Sequence, residues 1–212
     1  MKSFKLNKVL TAILIFFLSI GLIGFFTPFE AWFKSLSFQN LLLTFLLVSI
    51  SFKSIFKQYA LTLATIFTIG FICEVIGVNK GWIFGNYTYT ENLGLSLFKV
   101  PLIIGINWAI LTMGAWQIVR KIKVNNYSKI LLGALLMVVF DFIMEPVAIQ
   151  LNFWNWENNV IPVFNYLSWF SISIITMCFC LKNLNTNKGI VKQVFIVQLA
   201  FFLILNIKYS WL

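Results

Sequence analysis

Seven apolar runs, separated by short polar and basic loops, leave this chain few ways to fold. A membrane-spanning helix needs about 20 apolar residues, fewer where the bilayer thins. Inside lipid only helices and closed barrels satisfy their own backbone. The runs cover residues 9–27, 36–52, 59–78, 98–119, 129–151, 161–181 and 190–208, the second being the shortest. Charged side chains make up only 10% of the 212 residues and hydrophobic ones 60%. A soluble domain of this length carries about a quarter charged residues. The expectation is an all-α integral membrane protein, one polytopic domain over 1–212, with about seven transmembrane helices.

The net charge of +10 does not point to nucleic acid, because the basic residues cluster between apolar runs as they do in cytoplasmic loops. With the N-terminus inside, one set of loops carries Lys2, Lys5, Lys8, Lys53, Lys57, Arg120, Lys121, Lys123, Lys129, Lys182, Lys188 and Lys192. The other carries Lys34, Lys80, Lys99 and Lys208. Twelve against four predicts a cytoplasmic N-terminus and an external C-terminus in a cytoplasmic membrane. The stretch from Met1 to Phe26 has the basic start and apolar run of a signal peptide. No small-x-small cleavage site follows, so it reads as a first span that stays. Cys73, Cys178 and Cys180 lack CxxC spacing, lie in apolar segments and read as small buried side chains.

Three carboxylates interrupt the apolar pattern: Glu74, Asp141 and Glu145. A charged group in the membrane is costly, faces a polar interior and marks a site of function. In the predicted orientation all three lie in the outer half of the bilayer, with Glu30, Glu91 and Glu157 in outer loops. Asp141 and Glu145 are spaced i, i+4 and share a helix face. Two carboxyls one turn apart in a low dielectric do not both ionise, so one is expected to hold a proton and act as a donor. Pro146 is expected to kink this helix and free a carbonyl for a polar neighbour. The plainer reading is a polar clamp, with the acids bonded to Asn107, Asn165 or tyrosines, yet three acids exceed what a clamp needs.

Aromatic residues gather on the same side. The third run continues into a block with Gly77, Gly81, Phe84, Gly85, Tyr87 and Tyr89. Glycine every four residues would let a helix pack closely, while Asn79 and the aromatics argue for a structured cap at the interface. Trp82, Tyr87 and Tyr89 also suit an interfacial belt. Trp108 stands beside Asn107 after Val100-Pro101; Trp154 and Trp156 follow the acidic helix; Asn165 and Trp169 share one face of the sixth helix. Aromatic faces beside an acid suit a cationic intermediate when water is excluded.

Absences narrow the chemistry. The chain has no histidine, so a His-rich di-iron site cannot be built. No GxGxxG or P-loop indicates a nucleotide, and Lys192 and Lys208 bracket the last run where a retinal protein needs a lysine within it. Acid–base chemistry on an apolar molecule, or movement of an ion or solute, remains.

At these residues the chain resembles the membrane-bound carotenoid biosynthesis proteins that include the carotenoid 1,2-hydratases. The resemblance rests on the Glu74-to-Tyr89 block, Val100-Pro101 with Trp108, Asp141-x3-Glu145-Pro146, Trp154-x-Trp156, and Pro162 with Asn165, Tyr166 and Trp169. It covers about residues 70–170. It implies hydration of the terminal C1–C2 double bond of an acyclic carotenoid drawn from the bilayer, without cofactor or metal. Asp141 would be the proton donor, and Glu74 or Glu145 would orient water. Tyr87, Tyr89, Asn107, Trp108, Trp154, Trp156, Asn165, Tyr166 and Trp169 would line the substrate pocket. Many members of the family have another residue where Glu145 precedes the proline, which ranks it below Asp141. Membrane lipid and other carotenoid enzymes are the remaining expected partners. A lycopene-type cyclase would use the same protonation, closing a ring instead of admitting water. A proton-coupled transporter fits less well, because no internal repeat with paired broken helices is present. A non-catalytic scaffold would tolerate Asp141→Asn.

Overall fold

The computed structural model describes residues 2–184 and 188–210, with side chains from 4 onward and through 209. Met1, residues 185–187 and the last two residues lie outside the described residues, so the domain expected over 1–212 is seen without them. The chain is mostly helical and runs α1 (Lys2–Gly24), α2 (Glu30–Ser35), α3 (Ser37–Ser51), α4 (Phe56–Lys80), β1 (Tyr87–Tyr89), β2 (Ser96–Leu97), β3 (Val100–Pro101), α5 (Leu102–Val119), α6 (Asn126–Gln150), β4 (Trp154–Trp156), α7 (Val163–Asn183) and α8 (Val191–Ser210).

Six of these helices, α1 and α4 to α8, are long and apolar enough to cross a membrane. The second expected span, 36–52, forms α3, whose 15 residues rise only about 22 Å against a hydrocarbon core of about 30 Å. The count is therefore six rather than seven. The chain reaches α3 through the short α2 and a bend at Leu36, which takes up residues that a full span would have used.

Helix ends follow local chemistry. The Asn125 side chain caps α6 by accepting from the Ser128 amide at 2.8 Å. Pro101 and Pro162 immediately precede α5 and α7, where a fixed φ and a missing N–H cost nothing. The α6 helix continues through Pro146 to Gln150, and Asn206 of α8 donates to the Ile143 carbonyl at 2.5 Å in the turn before the proline. Gly81, with φ 67°, ends α4 by donating to the Gly77 carbonyl at 2.7 Å. Gly81 and Gly85 therefore lie beyond the helix, so the four-residue glycine spacing serves a helix stop and turn rather than a helix-packing face. Among the cysteines only Cys180 is buried; Cys178 is exposed and Cys73 half-buried, because positions two apart on α7 point to different sides.

The helices α1 and α3 to α8 alternate in direction. At one end Asn7 of α1 donates to the Gly189 carbonyl (3.5 Å), the Ile190 amide donates to Ser51 at the end of α3 (3.2 Å), Gln117 of α5 donates to the Lys188 carbonyl (2.7 Å), and Gln58 of α4 donates to the Asn183 carbonyl. At the other end Lys208 of α8 pairs with Glu30 at 2.5 Å, and Lys34 donates to the Gln150 carbonyl of α6 at 2.6 Å. Helix α5 is the centre: 78% of its apolar window is buried, against 17% for α1. The core thus surrounds a helix that contacts α3, α4, α6, α7 and α8.

Candidate functional site

Period-two alternation builds the roof of the site. β1 pairs antiparallel with β4, placing Tyr87 opposite Trp156 and Tyr89 opposite Trp154, with Thr88 opposite Asn155. Successive strand residues face opposite sides. Thr88 and Asn155 are exposed, whereas Tyr87, Trp154 and Trp156 are buried. The ribbon is stitched at both ends. Asn86 Nδ2 donates to Glu157 at 2.7 Å, and the Thr90 hydroxyl donates to the Asn152 carbonyl at 2.5 Å. Ser168 of α7 donates to the Ile83 carbonyl, fixing the chain between α4 and β1.

Beneath this roof the three acids are buried, at 4% exposure for Glu74, 0% for Asp141 and 2% for Glu145. Each has its own partners. Glu74 of α4 accepts from the hydroxyls of Tyr87 (2.5 Å) and Tyr89 (2.7 Å) on one oxygen, and from the Trp108 indole N–H (2.9 Å) on the other. Burial, and after it the neighbouring Glu74, push both phenols well above their ordinary value of 10.0, so they stay protonated and donate. Glu145 Oε2 accepts from the indole N–H groups of Trp154 (3.0 Å) and Trp156 (2.8 Å). An indole N–H only donates, so that oxygen is the acceptor in both bonds. Asp141 Oδ2 accepts from Asn165 Nδ2 at 2.7 Å, while its Oδ1 has no hydrogen-bond partner among the described residues.

The acids share one cavity of about 300 Å³. Its walls include the Trp108–Trp169 pair, stacked with ring centroids 4.0 Å apart, and the Tyr87–Trp156 pair at 4.9 Å. Residues of α1 and α3, among them Phe17, Gly21 and Asn40, close the opposite wall. Phe17 is also exposed on the outside of the bundle, so this wall adjoins lipid. Among the described residues no group of three His, Cys, Asp or Glu side chains is clustered as metal ligands are.

Of the residues anticipated from sequence, Glu74, Asp141, Glu145, Tyr87, Tyr89, Asn107, Trp108, Trp154, Trp156, Asn165 and Trp169 all line this cavity. Tyr166 does not: its ring packs on Phe142 at 5.7 Å, beside a side chain that is 63% exposed. Asn165 and Trp169 turn inward on one face of α7, and Tyr166 falls on a different one. Tyr87 and Tyr89 serve the site rather than an interfacial belt; Trp82, 72% exposed, fits the belt. Sequence reasoning missed Asn40 and Gln198, both cavity-lining. Their only signal was an amide inside an apolar run.

A family model described as "carotenoid biosynthesis protein" matches residues 36–211, extending beyond the 70–170 block to the last helix. The chain is also similar to the bisanhydrobacterioruberin hydratase of Haloarcula japonica, 30% identical over 118 residues. That alignment takes in 52% of this chain and 40% of the relative, so the matched region is less than half of that protein's length. No solved structure matches the chain.

Proposed function

Since the chain belongs to the carotenoid biosynthesis protein family, we propose that it is a multi-pass membrane enzyme that adds water across the terminal C1–C2 double bond of an acyclic carotenoid. The observation that carries this reading is the unequal satisfaction of the three acids. Glu74 has donors on both oxygens and Glu145 has two indole donors on one, whereas Asp141, which lines the shared cavity, keeps a buried Oδ1 without a partner among the described residues.

In its protonated form Asp141 donates from Oδ1 to C2, with Asn165 holding the other oxygen. The π bond breaks, a C–H bond forms, and a tertiary cation remains at C1. The Trp108–Trp169 and Tyr87–Trp156 faces shelter that cation, where cation–π attraction is worth about 0.5–2 kcal/mol. Water adds to C1, and the oxonium gives its extra proton to a carboxylate; Glu145 Oε1, which no indole holds, is the favoured acceptor. General acid catalysis of this kind contributes about 10²–10⁴-fold. The hydratase name of the Haloarcula relative supports hydration over ring closure.

The test is expression in cells that make an acyclic carotenoid, followed by pigment mass analysis. Hydration predicts a gain of one water per modified end, lost on Asp141→Asn. A new ring at unchanged mass would replace hydration by cyclisation. No change in pigment with the protein well expressed would sink both.

A further inference from the structure

We propose that Gln198 holds the water that attacks the cation, and so decides that this cavity hydrates its substrate rather than cyclising it or letting the proton leave again. The inference rests on the hydration reading above and deepens it. Gln198 sits in the middle of α8, flanked by Val197 and Leu199, and is only 5% exposed. It lines the same cavity as the three acids, and its Oε1 has no hydrogen-bond partner among the described residues. A buried amide oxygen without a partner is costly, and a small rotation of this amide into the cavity that the residue lines would let an internal water satisfy it.

Its helix packs against the one that carries Asp141. Phe202, one turn further along the same face of α8, has its ring 5.8 Å from Phe140, the neighbour of Asp141. Asn206, one turn beyond, fastens α8 to α6 at the Ile143 carbonyl. Gln198 therefore approaches the cavity from α8, across from the aromatic roof that holds Glu74 and Glu145. Indoles, phenols and Asn165 take every acid oxygen except Asp141 Oδ1 and Glu145 Oε1, and those two are assigned to give and to receive a proton, so orienting the water falls to another group. A primary amide both donates and accepts, so it can hold a neutral water whose lone pair remains directed at C1. The step balances without an oxidant: one C–O bond forms, the oxonium loses one proton to the carboxylate, and the donor proton stays on C2.

The experiment compares products of the wild type, Gln198→Met and Gln198→Ser in cells that supply an acyclic carotenoid. Methionine keeps the length and removes the water partner. The ratio of hydrated to ring-closed or double-bond-shifted product is expected to fall at least tenfold while substrate is still consumed. Serine leaves room and a hydroxyl for water and restores hydrated product. Hydrated product in the wild-type proportion from Gln198→Met overturns the inference alone. So does complete loss of turnover by both variants at wild-type protein levels, since water capture would not be what the residue controls. A wild-type chain that adds no water sinks the hydration reading and the inference with it. Should Gln198→Met fail to accumulate, a wild-type structure that resolves waters decides the matter. An ordered water about 2.7–3.2 Å from the amide supports the role, and a dry amide overturns it.

Discussion

Asp141→Asn keeps the side chain's shape and its neighbour Asn165, and removes the proton the reaction needs. Hydrated carotenoid should fall by about 10²-fold or more while the protein accumulates normally, which pigment mass analysis beside an immunoblot would show. Glu74 should behave differently, because its role in the fold is heavier. Three donors converge on it, two of them buried, and each buried one left unpaired costs about 1–3 kcal/mol. Glu74→Ala should lower thermal stability in detergent far more than Asp141→Asn does; equal melting temperatures would contradict that division of labour. The acids themselves were legible in the sequence because a carboxylate in an apolar run has few structural reasons to be there. Their partners were only half legible. Trp108, Trp154 and Asn165 were foreseen as lining, but which acid each would hold depends on helix rotation, which composition does not carry. Gln198 went unseen because one amide in a long apolar helix breaks no hydrophobic pattern.

The helices from α3 onward were legible to within a few residues, since their limits are written in caps, prolines and the end of the apolar run, whereas α1 starts seven residues before its apolar run and α2 was not foreseen. The β1–β4 ribbon was not. Tyr-x-Tyr and Trp-x-Trp each alternate over only three residues, and their pairing joins segments far apart in the chain. The β2–β3 hairpin turns on Phe98 and Lys99, both at positive φ (51° and 67°), where Asn-Gly is preferred. Replacing the pair by Asn-Gly should stabilise the protein by about 1 kcal/mol, visible as a higher melting temperature; a lower one would mean that the exposed Phe98 side chain anchors the turn. The α2 helix has a pH-dependent fastening. Partial burial pushes Glu30 up, but hydrogen bonds from Lys208 and Tyr209 and the charges of Lys208 and Lys34 outweigh it, leaving the carboxyl below its ordinary 4.5. A depressed folded value means the fastening is complete above the unfolded value and is lost as pH falls through the folded one. Protease sensitivity between residues 25 and 36 should rise as pH falls below the ordinary carboxylate range, and Glu30→Gln should show that sensitivity already at neutral pH.

At the scale of the whole molecule, direction and length disagree about α3. It runs through the bundle in alternation with its neighbours, yet is too short to cross an average bilayer unaided. If α2 and local thinning complete its passage, the termini lie on opposite sides, with the basic loops inside. The six spans counted by length instead put both termini on one side, which reporter fusions at the two ends test; fusions reporting opposite sides would make α3 a seventh crossing.

The cavity carries a consequence for how long a visit lasts. A cavity of about 300 Å³, at the low end of the range for pockets that bury a drug-sized ligand, takes the tip of a polyene and not its length. Nearly all of a carotenoid would stay dissolved in lipid while one end reacts, its far end out of reach of the same acids. A molecule with two reactive ends must then withdraw, turn over in the bilayer and present itself again. Singly modified pigment should accumulate first and disappear later, in the manner of a distributive enzyme.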